Sequence, residues 1–336
     1  MSTSPQVYGD ITPRTAAKAM VPLLKRHTEK MILQKIGQTF VLPTKSTKVA
    51  KFRRFEALAL ALTALQEGVT PAGQKPTITD VTATLEEHGD YIPYSGFMMD
   101  THEDPILKEY GSLCVQQAAE TVETLIWNKV KAGTNVGYAN GSGRGDVNTP
   151  ITLALQRTAT AALIRQRGQY ITEMVASSAA FRTEQVEAAF IGVCHSDLTN
   201  DIRNMEGFFS TKQYASGVLP WANEIGSVED VRYVRSVLFD PFLGSATVGG
   251  VTTTMRTTGG DGTHANVYPV LYFGTDAFGY IPLRGSNAMS LIAHNPGSSG
   301  TADPLNQRGT LGWKVAQTSA ILNDLWMYRL EVAVTA

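Results

Sequence analysis

Apolar residues recur at helical spacing at Leu107, Tyr110, Cys114, Ala118 and Leu125, and this spacing predicts one long helix. Asp104 stands where an N-cap belongs, Pro105 suits the first helical position, and Gly133 fits a stop just past the C-terminus. Such a helix is about 30 residues and ~40 Å long at 1.5 Å per residue, a spine joining distant parts rather than an ordinary packing element. A second helix is expected over about 152–167. Residues 14–36 read as helix with Met20, Leu23, Leu24 and Met31 on one face and Pro22 starting or breaking it.

Elsewhere the pattern is that of strands. Residues 49–55 (VAKFRRF) and 77–85 (TITDVTATL) are strand-like, the second mostly β-branched. Between them lies EGVTPAGQKPT, residues 67–77, whose glycines and prolines read as the tip of a long two-stranded excursion running from about 46 to 95. From about 185 onward the chain turns to short strands and short helices, with strands expected over 188–194, 231–239, 267–273 and 290–294. The end alternates, placing Trp326, Tyr328, Leu330, Val332 and Val334 on one face of a strand. Residues 1–13 read as an extended tail. The fold class is α+β, with a mixed α/β unit in its second half.

Composition adds one asymmetry. The chain is 43% hydrophobic and 18% charged, ordinary for a globular protein. Its formal net charge of -1 carries no nucleic-acid signature for the molecule as a whole. Residues 1–54, however, hold eleven Lys/Arg (Arg14, Lys18, Lys25, Arg26, Lys30, Lys35, Lys45, Lys48, Lys51, Arg53, Arg54) against Asp10 and Glu29. That segment is about +9 and the remainder about -10. A basic arm on an acidic body binds polyanions or a neighbouring copy of the body, and both readings stay open. Two distant cysteines, Cys114 and Cys194, make no disulfide framework and fit a reducing compartment. No run reaches the ~18 apolar residues of a membrane span, and MSTSPQVYGDITPRT has no signal-peptide core. The expectation is a soluble protein made in the cytoplasm, with no membrane partner.

No candidate chemistry assembles. Gly68, Gly73 and Lys75 imitate a phosphate-binding loop, but Pro76 and a β-branched run follow where a helix must start. Cys194, His195, Ser196 and Asp197 hold the letters of a thiol catalytic set, yet neighbours on a strand point to opposite faces, and Asp197 reads better as the cap of the next helix. His102-Glu103-Asp104 has no second histidine at helical spacing, and the six histidines show no metal-ligand pattern. Arg144-Gly145-Asp146 is read as a Gly-rich loop rather than an adhesion motif. Gly259-Gly260-Asp261-Gly262-Thr263-His264 is a turn cluster. No catalytic residue, cofactor or metal is expected, and the protein is not expected to be an enzyme.

The order of parts is that of a shell tile. The stretches KFRRFEALALALTALQEGVTPAGQKPTITDVTATLEEHGDYI, QAAETVETLIWNKVKAGTN, HSDLTNDIRNM, YPVLYFGTDAFGYIPLRG and GWKVAQTSAILNDLWMYRLEVA resemble tailed-bacteriophage major capsid proteins of the podovirus type, a resemblance running from about Tyr8 to Val334. It implies the Hong Kong 97-like capsid fold. Residues 1–45 would be the N-terminal arm, 46–100 the extended loop, 101–184 with 308–336 the peripheral domain, and 185–307 the axial domain. The implied function is an icosahedral head shell around double-stranded DNA, built as hexamers and pentamers and located in the virion after synthesis in a bacterial cytoplasm. A portal protein, and scaffolding or decoration proteins, are further implied partners. The loop tip would lie over an adjacent subunit, making Lys51, Arg53, Arg54, Gly68, Pro71, Gly73 and Lys75 inter-subunit contact candidates. Arg14 and Lys18 are the DNA-facing candidates. Some members of this fold cross-link through a loop lysine, and Lys75 stands at that place. The alternatives are an encapsulin-like nanocompartment shell and a nucleotide-binding enzyme using Lys75.

Overall fold

The computed structural model describes residues 31–45, 47–62, 64, 67–68, 70, 73–101, 106–171, 188–214, 221, 223–246, 255–257, 264–284, 289–298 and 303–336. Most of the helix expected over 14–36 lies outside the described residues. So do Arg14, Lys18, Pro71, the 102–105 helix start and the 259–263 glycines.

The described elements, in chain order, are α1 (Leu33–Ile36), β1 (Gln38–Thr39), β2 (Val49–Phe55), β3 (Ile78–Thr84), β4 (Glu86–Ser95), α2 (Gly96–Thr101), α3 (Ile106–Val130), β5 (Val136–Tyr138), α4 (Leu153–Arg165), β6 (Phe190–His195), α5 (Thr199–Arg203), β7 (Phe208–Ser210), β8 (Glu224–Val228), β9 (Val231–Ser236), β10 (Tyr268–Phe273), β11 (Phe278–Pro282), β12 (Met289–His294), β13 (Arg308–Ile321) and β14 (Met327–Val332). They form two main sheets and a separate hairpin.

The first sheet is organised by β13. Its residue Gln317 pairs with Glu86 of β4 and with Pro282 of β11, so those two strands lie on opposite edges. β12 takes the edge opposite β4 farther along, from Thr310 to Val315. β1 extends the sheet by pairing parallel to β11. The second sheet has seven strands in the order β5-β14-β10-β6-β9-β8-β7. It is mixed, with β6 parallel to β9 and β5 parallel to β14.

The expected spine is α3, 25 residues and about 37 Å long. Its inward stripe runs through Cys114, Ala118, Val122, Ile126, Trp127 and Val130, while Leu125 is only half-buried. The same core takes Leu311, Trp313 and Val315 from β13, then Ile191, Val193, Leu271 and Phe273 from the second sheet. One helix thereby packs on both sheets. At its C-terminal end Trp127 stacks on Phe239, ring centroids 4.6 Å apart. The opposite face of the second sheet is covered by α4 through Ala159 and Leu163, and by Leu198 and Ile202 at and in α5. Burial on both faces is why β6 and β10 are nearly continuous apolar runs, while β9 and β14, buried too, carry polar residues that find partners inside, Arg232 with Glu224 and Glu331 with Arg144.

Gly133 is not the left-handed stop that its position predicts. It is absent from the positive-φ glycines, and its N–H donates to the Val130 carbonyl at 3.2 Å. It is glycine for space: a Cβ there would lie 2.8 Å from Asp324 Oδ1 and 2.8 Å from Met327 Cε. The chain also crosses between the sheets more often than a linear division at 185 and 307 implies. β11 and β12 belong to the first sheet with β13, whereas β14 inserts between β5 and β10 of the second.

Candidate subunit-contact surfaces

β2 and β3 pair antiparallel from Val49↔Thr84 to Phe55↔Ile78, as a hairpin outside both main sheets. Period-two alternation divides its faces. Ala50, Phe52 and Ala83 face inward at its root, where a small core gathers Leu42, Leu85 and Ile281. Phe40 meets Phe52 edge-on at 5.5 Å. The root therefore does bury apolar surface on its own chain.

The outward face carries charge. Arg53 stands directly across from Asp80, and its guanidinium donates to both carboxylate oxygens at 2.9 and 3.2 Å. Lys51 Nζ reaches the same carboxylate at 2.7 Å from the diagonal position. Two cations on one acid hold Asp80 well below the usual carboxylate range, the Arg53 hydrogen bond being the larger cause. On the inner face Arg54 donates to Glu56 Oε1 at 2.8 and 3.1 Å, and to the Leu322 carbonyl at 3.4 Å. The first acids of these three cations are thus on the hairpin itself, and the Lys51–Arg53–Asp80 group keeps one cation in excess.

Beyond Phe55 the hairpin continues without regular structure among the described residues. Two bonds tie its sides: the Glu56 N–H to the Thr77 carbonyl at 2.9 Å, and Gln74 Nε2 to the Ala59 carbonyl at 3.0 Å. Gly68 has φ +78°, the left-handed conformation that glycine adopts without strain. Lys75 is exposed, and no helix follows it, so the phosphate-loop geometry is absent. This segment carries a cluster of exposed apolar side chains. Leu58, Leu60 and Leu62 are 58%, 76% and 86% exposed, continuing from Phe55 at 64%. The alternating ALALAL of residues 57–62 is that cluster in the sequence.

The other motifs are structural. Cys194 is fully buried and its thiol is pushed up to about 12 by desolvation, so it is no nucleophile. Asp197 does not cap the next helix. Its carboxylate instead accepts from the Tyr268 hydroxyl at 2.9 Å and pairs with Arg256 at 2.5 Å. α5 itself has no side-chain cap; His195 instead caps the single 3-10 turn before it, 196–198, its Nδ1 accepting the Asp197 N–H at 3.1 Å. Arg144 of the RGD triplet makes two 2.7 Å bonds to Glu331, which has no exposed surface, and lies 3.5 Å over the Phe242 ring. Asp146 accepts the N–H groups of Ser142 and Gly143 at 3.1 and 3.2 Å. Sequence reasoning missed this latch. The signal was the polar pair Arg329 and Glu331 inside a strand whose apolar residues were assigned to one face; both faces of β14 are buried. Among the described residues no group of three or more His, Cys, Asp and Glu is placed to hold a metal ion, and no helix is long and apolar enough to cross a membrane.

A spine helix under a strand-rich face, a protruding hairpin and a second, buried sheet define the Hong Kong 97-like tile of a viral shell. Solved structures share this arrangement. The capsid of Ralstonia phage GP4 superposes with a TM-score of 0.68 at 8% identity, over 100% of this chain and 99% of that one. The capsid of cyanophage P-SCSP1u gives 0.59 at 12% identity, over 95% and 93%. The head of Helicobacter pylori bacteriophage KHP40 gives 0.60 at 10%, over 96% and 96%. No curated protein sequence matches the chain. The phage capsid protein family model matches residues 78–330, and the chain belongs to that family. It is a major capsid protein: a structural component of the virion that self-assembles into a shell, and not an enzyme. The family decides for the phage over the nanocompartment reading.

Proposed function

We propose that the shell closes as hexamers and pentamers of this chain around double-stranded DNA, with the β2–β3 excursion lying over an adjacent subunit. The observation that carries this is the exposed cluster Leu58, Leu60 and Leu62, at the far end of a hairpin whose own small core is confined to its root. An apolar cluster of that kind is costly in water and gains by burial on a partner. Gly68, Pro71, Gly73 and Lys75 form the contacting tip, and Lys51, Arg53 and Arg54 the flank. In this reading the peripheral part is built on α3 and the β13 sheet, and the axial part on the seven-stranded sheet; the arm is 1–45 and the loop 46–100. Arg14 and Lys18 touch the packaged genome. A portal protein at one vertex, and scaffolding or decoration proteins, are the further partners of this reading.

The test replaces all three leucines, Leu58→Ser, Leu60→Ser and Leu62→Ser, in the full chain. Subunits should keep native circular dichroism and hydrogen-exchange protection in α3 and β10, yet fail to sediment as shells. Normal shells from the triple variant would overturn the assignment.

A further inference from the structure

One carboxylate fastens the first described residues of the N-terminal segment to the spine. The N–H groups of Ile32 and Leu33 both donate to Oε1 of Glu123, each at 2.8 Å. The Gln34 N–H adds to the pull. These are the donors that the start of α1 leaves without intrahelical partners. Glu123 lies on α3 and is fully buried. Its second oxygen, Oε2, has no hydrogen-bond partner among the described residues. The titratable groups that face it there are Lys35 from α1 and Tyr280 from β11. β13 contributes apolar Leu311, Trp313 and Val315 to the surrounding core. The arm is also held by Ile32 and Leu33 in that core, by short pairing with β11, where the Phe40 N–H donates to the Tyr280 carbonyl at 2.9 Å, and by Leu42, buried at the hairpin root.

This arrangement is poised between two states. Ionised, the carboxylate satisfies the N–H groups but sits out of water with one oxygen unserved among the described residues. Neutral, it keeps the Oε1 bonds and avoids most of the desolvation cost. We propose that Glu123 is a proton-controlled latch, holding the N-terminal arm to the spine helix tightly when neutral and loosely when ionised. Burial outweighs the N–H donors and Lys35, and holds the carboxyl above its ordinary value. A carboxyl freed by departure of the arm meets water and returns toward that ordinary value. Docking is therefore strongest below the ordinary carboxylate range and weakens as pH rises through the raised one. This inference goes beyond the shell reading, because the latch is internal to one chain.

Hydrogen exchange at the Ile32, Leu33 and Gln34 amides tests it, on the full chain from pH 5 to 8, corrected for the intrinsic rate. Wild-type protection should fall at least tenfold with rising pH. Glu123→Gln, neutral throughout and of the same shape, should show a flat profile near the acid wild-type level. Glu123→Ala should lose protection at every pH while α3 amides stay protected. If the alanine variant does not fold, the glutamine variant decides alone. A flat wild-type profile, or a glutamine variant that keeps the wild-type slope, would overturn the latch.

Discussion

Glu331→Gln removes the charge of a carboxylate with no exposed surface that serves two guanidiniums. Arg144 makes both of its 2.7 Å bonds to it, and Arg329 Nε lies 2.9 Å away but out of hydrogen-bond line. With the acid neutralised, two cations meet on the same face of β14 with no carboxylate between them. Arg329, almost wholly buried, is already pulled down by desolvation. Arg144 is a third exposed, at 34%, and recovers part of its hydration. Breaking a buried pair costs about 3–5 kcal/mol, and the partial exposure of Arg144 places this case near ~3. The local opening of β14 and β5 should become easier by that amount. Amide exchange at 136–138 and 327–332 in purified shells should then rise roughly 100-fold, since ~1.4 kcal/mol is tenfold. Arg144→Met should cost less, about 1.5–3 kcal/mol, because Arg329 remains to pair with Glu331. The two changes should be strongly non-additive when combined. An exchange rise below fivefold for Glu331→Gln would refute the view that this triad holds the strand.

Three further outcomes follow from the same geometry. Gly133→Ala should push Asp324 off the Thr134 N–H that it accepts at 3.0 Å, costing about 1–3 kcal/mol in thermal unfolding; an unchanged melting temperature would show that the loop gives way freely. Arg53→Glu alone would set like charges opposite each other within the hairpin, so assembly defects from it are ambiguous; the swap Arg53→Asp with Asp80→Arg keeps the cross-strand pair and should still impair shell formation if the flank meets a neighbour's acids, whereas normal shells would remove Arg53 from the interface. Cys194 in folded shells should resist iodoacetamide at pH 8 and react only after denaturation, and rapid native labelling would contradict its burial.

Much of the fold was legible because the signals were local. Helical spacing through Cys114 and Ala118 located the spine, and the β-branched run at 77–85 with the glycines before it located the hairpin. Thr152, whose hydroxyl accepts the Leu155 N–H, starts α4 where the pattern placed it. Misreadings came where tertiary contact overrode a local rule. Gly133 looked like a helix stop, but side chains from 324 and 327 dictate it. Asp197 looked like a cap, but Arg256 and Tyr268 claim its carboxylate from distant segments. The pairing of Arg329 and Glu331 was not legible because the 144–146 turn, whose Arg144 bonds Glu331, reaches β14 only by folding. Pairings of that range leave no spacing in the sequence to read.

The hairpin shows which interactions a single chain completes and which it leaves to assembly. Charge alone, about +9 in the first 54 residues against about -10 elsewhere, favours pairing between subunits. Asp80 and Glu56 weaken that argument for Arg53 and Arg54, since each guanidinium already has a carboxylate within 3 Å on its own hairpin. A neighbour's acid gains only the difference between two exposed pairs, at most a few tenths of a kcal/mol each. The leucine cluster has no such internal competitor. Each leucine gains about 1.5–3 kcal/mol when fully covered, so three outweigh the three cations even if half-covered. In the proposed contact, apolar burial at residues 58–62 is therefore the larger driving force, and Lys51, with one cation in excess around Asp80, is the flank expected to set its register. Salt should separate the two contributions: raising ionic strength should slow shell assembly only modestly, while the Leu58→Ser, Leu60→Ser and Leu62→Ser variant should fail at any salt concentration.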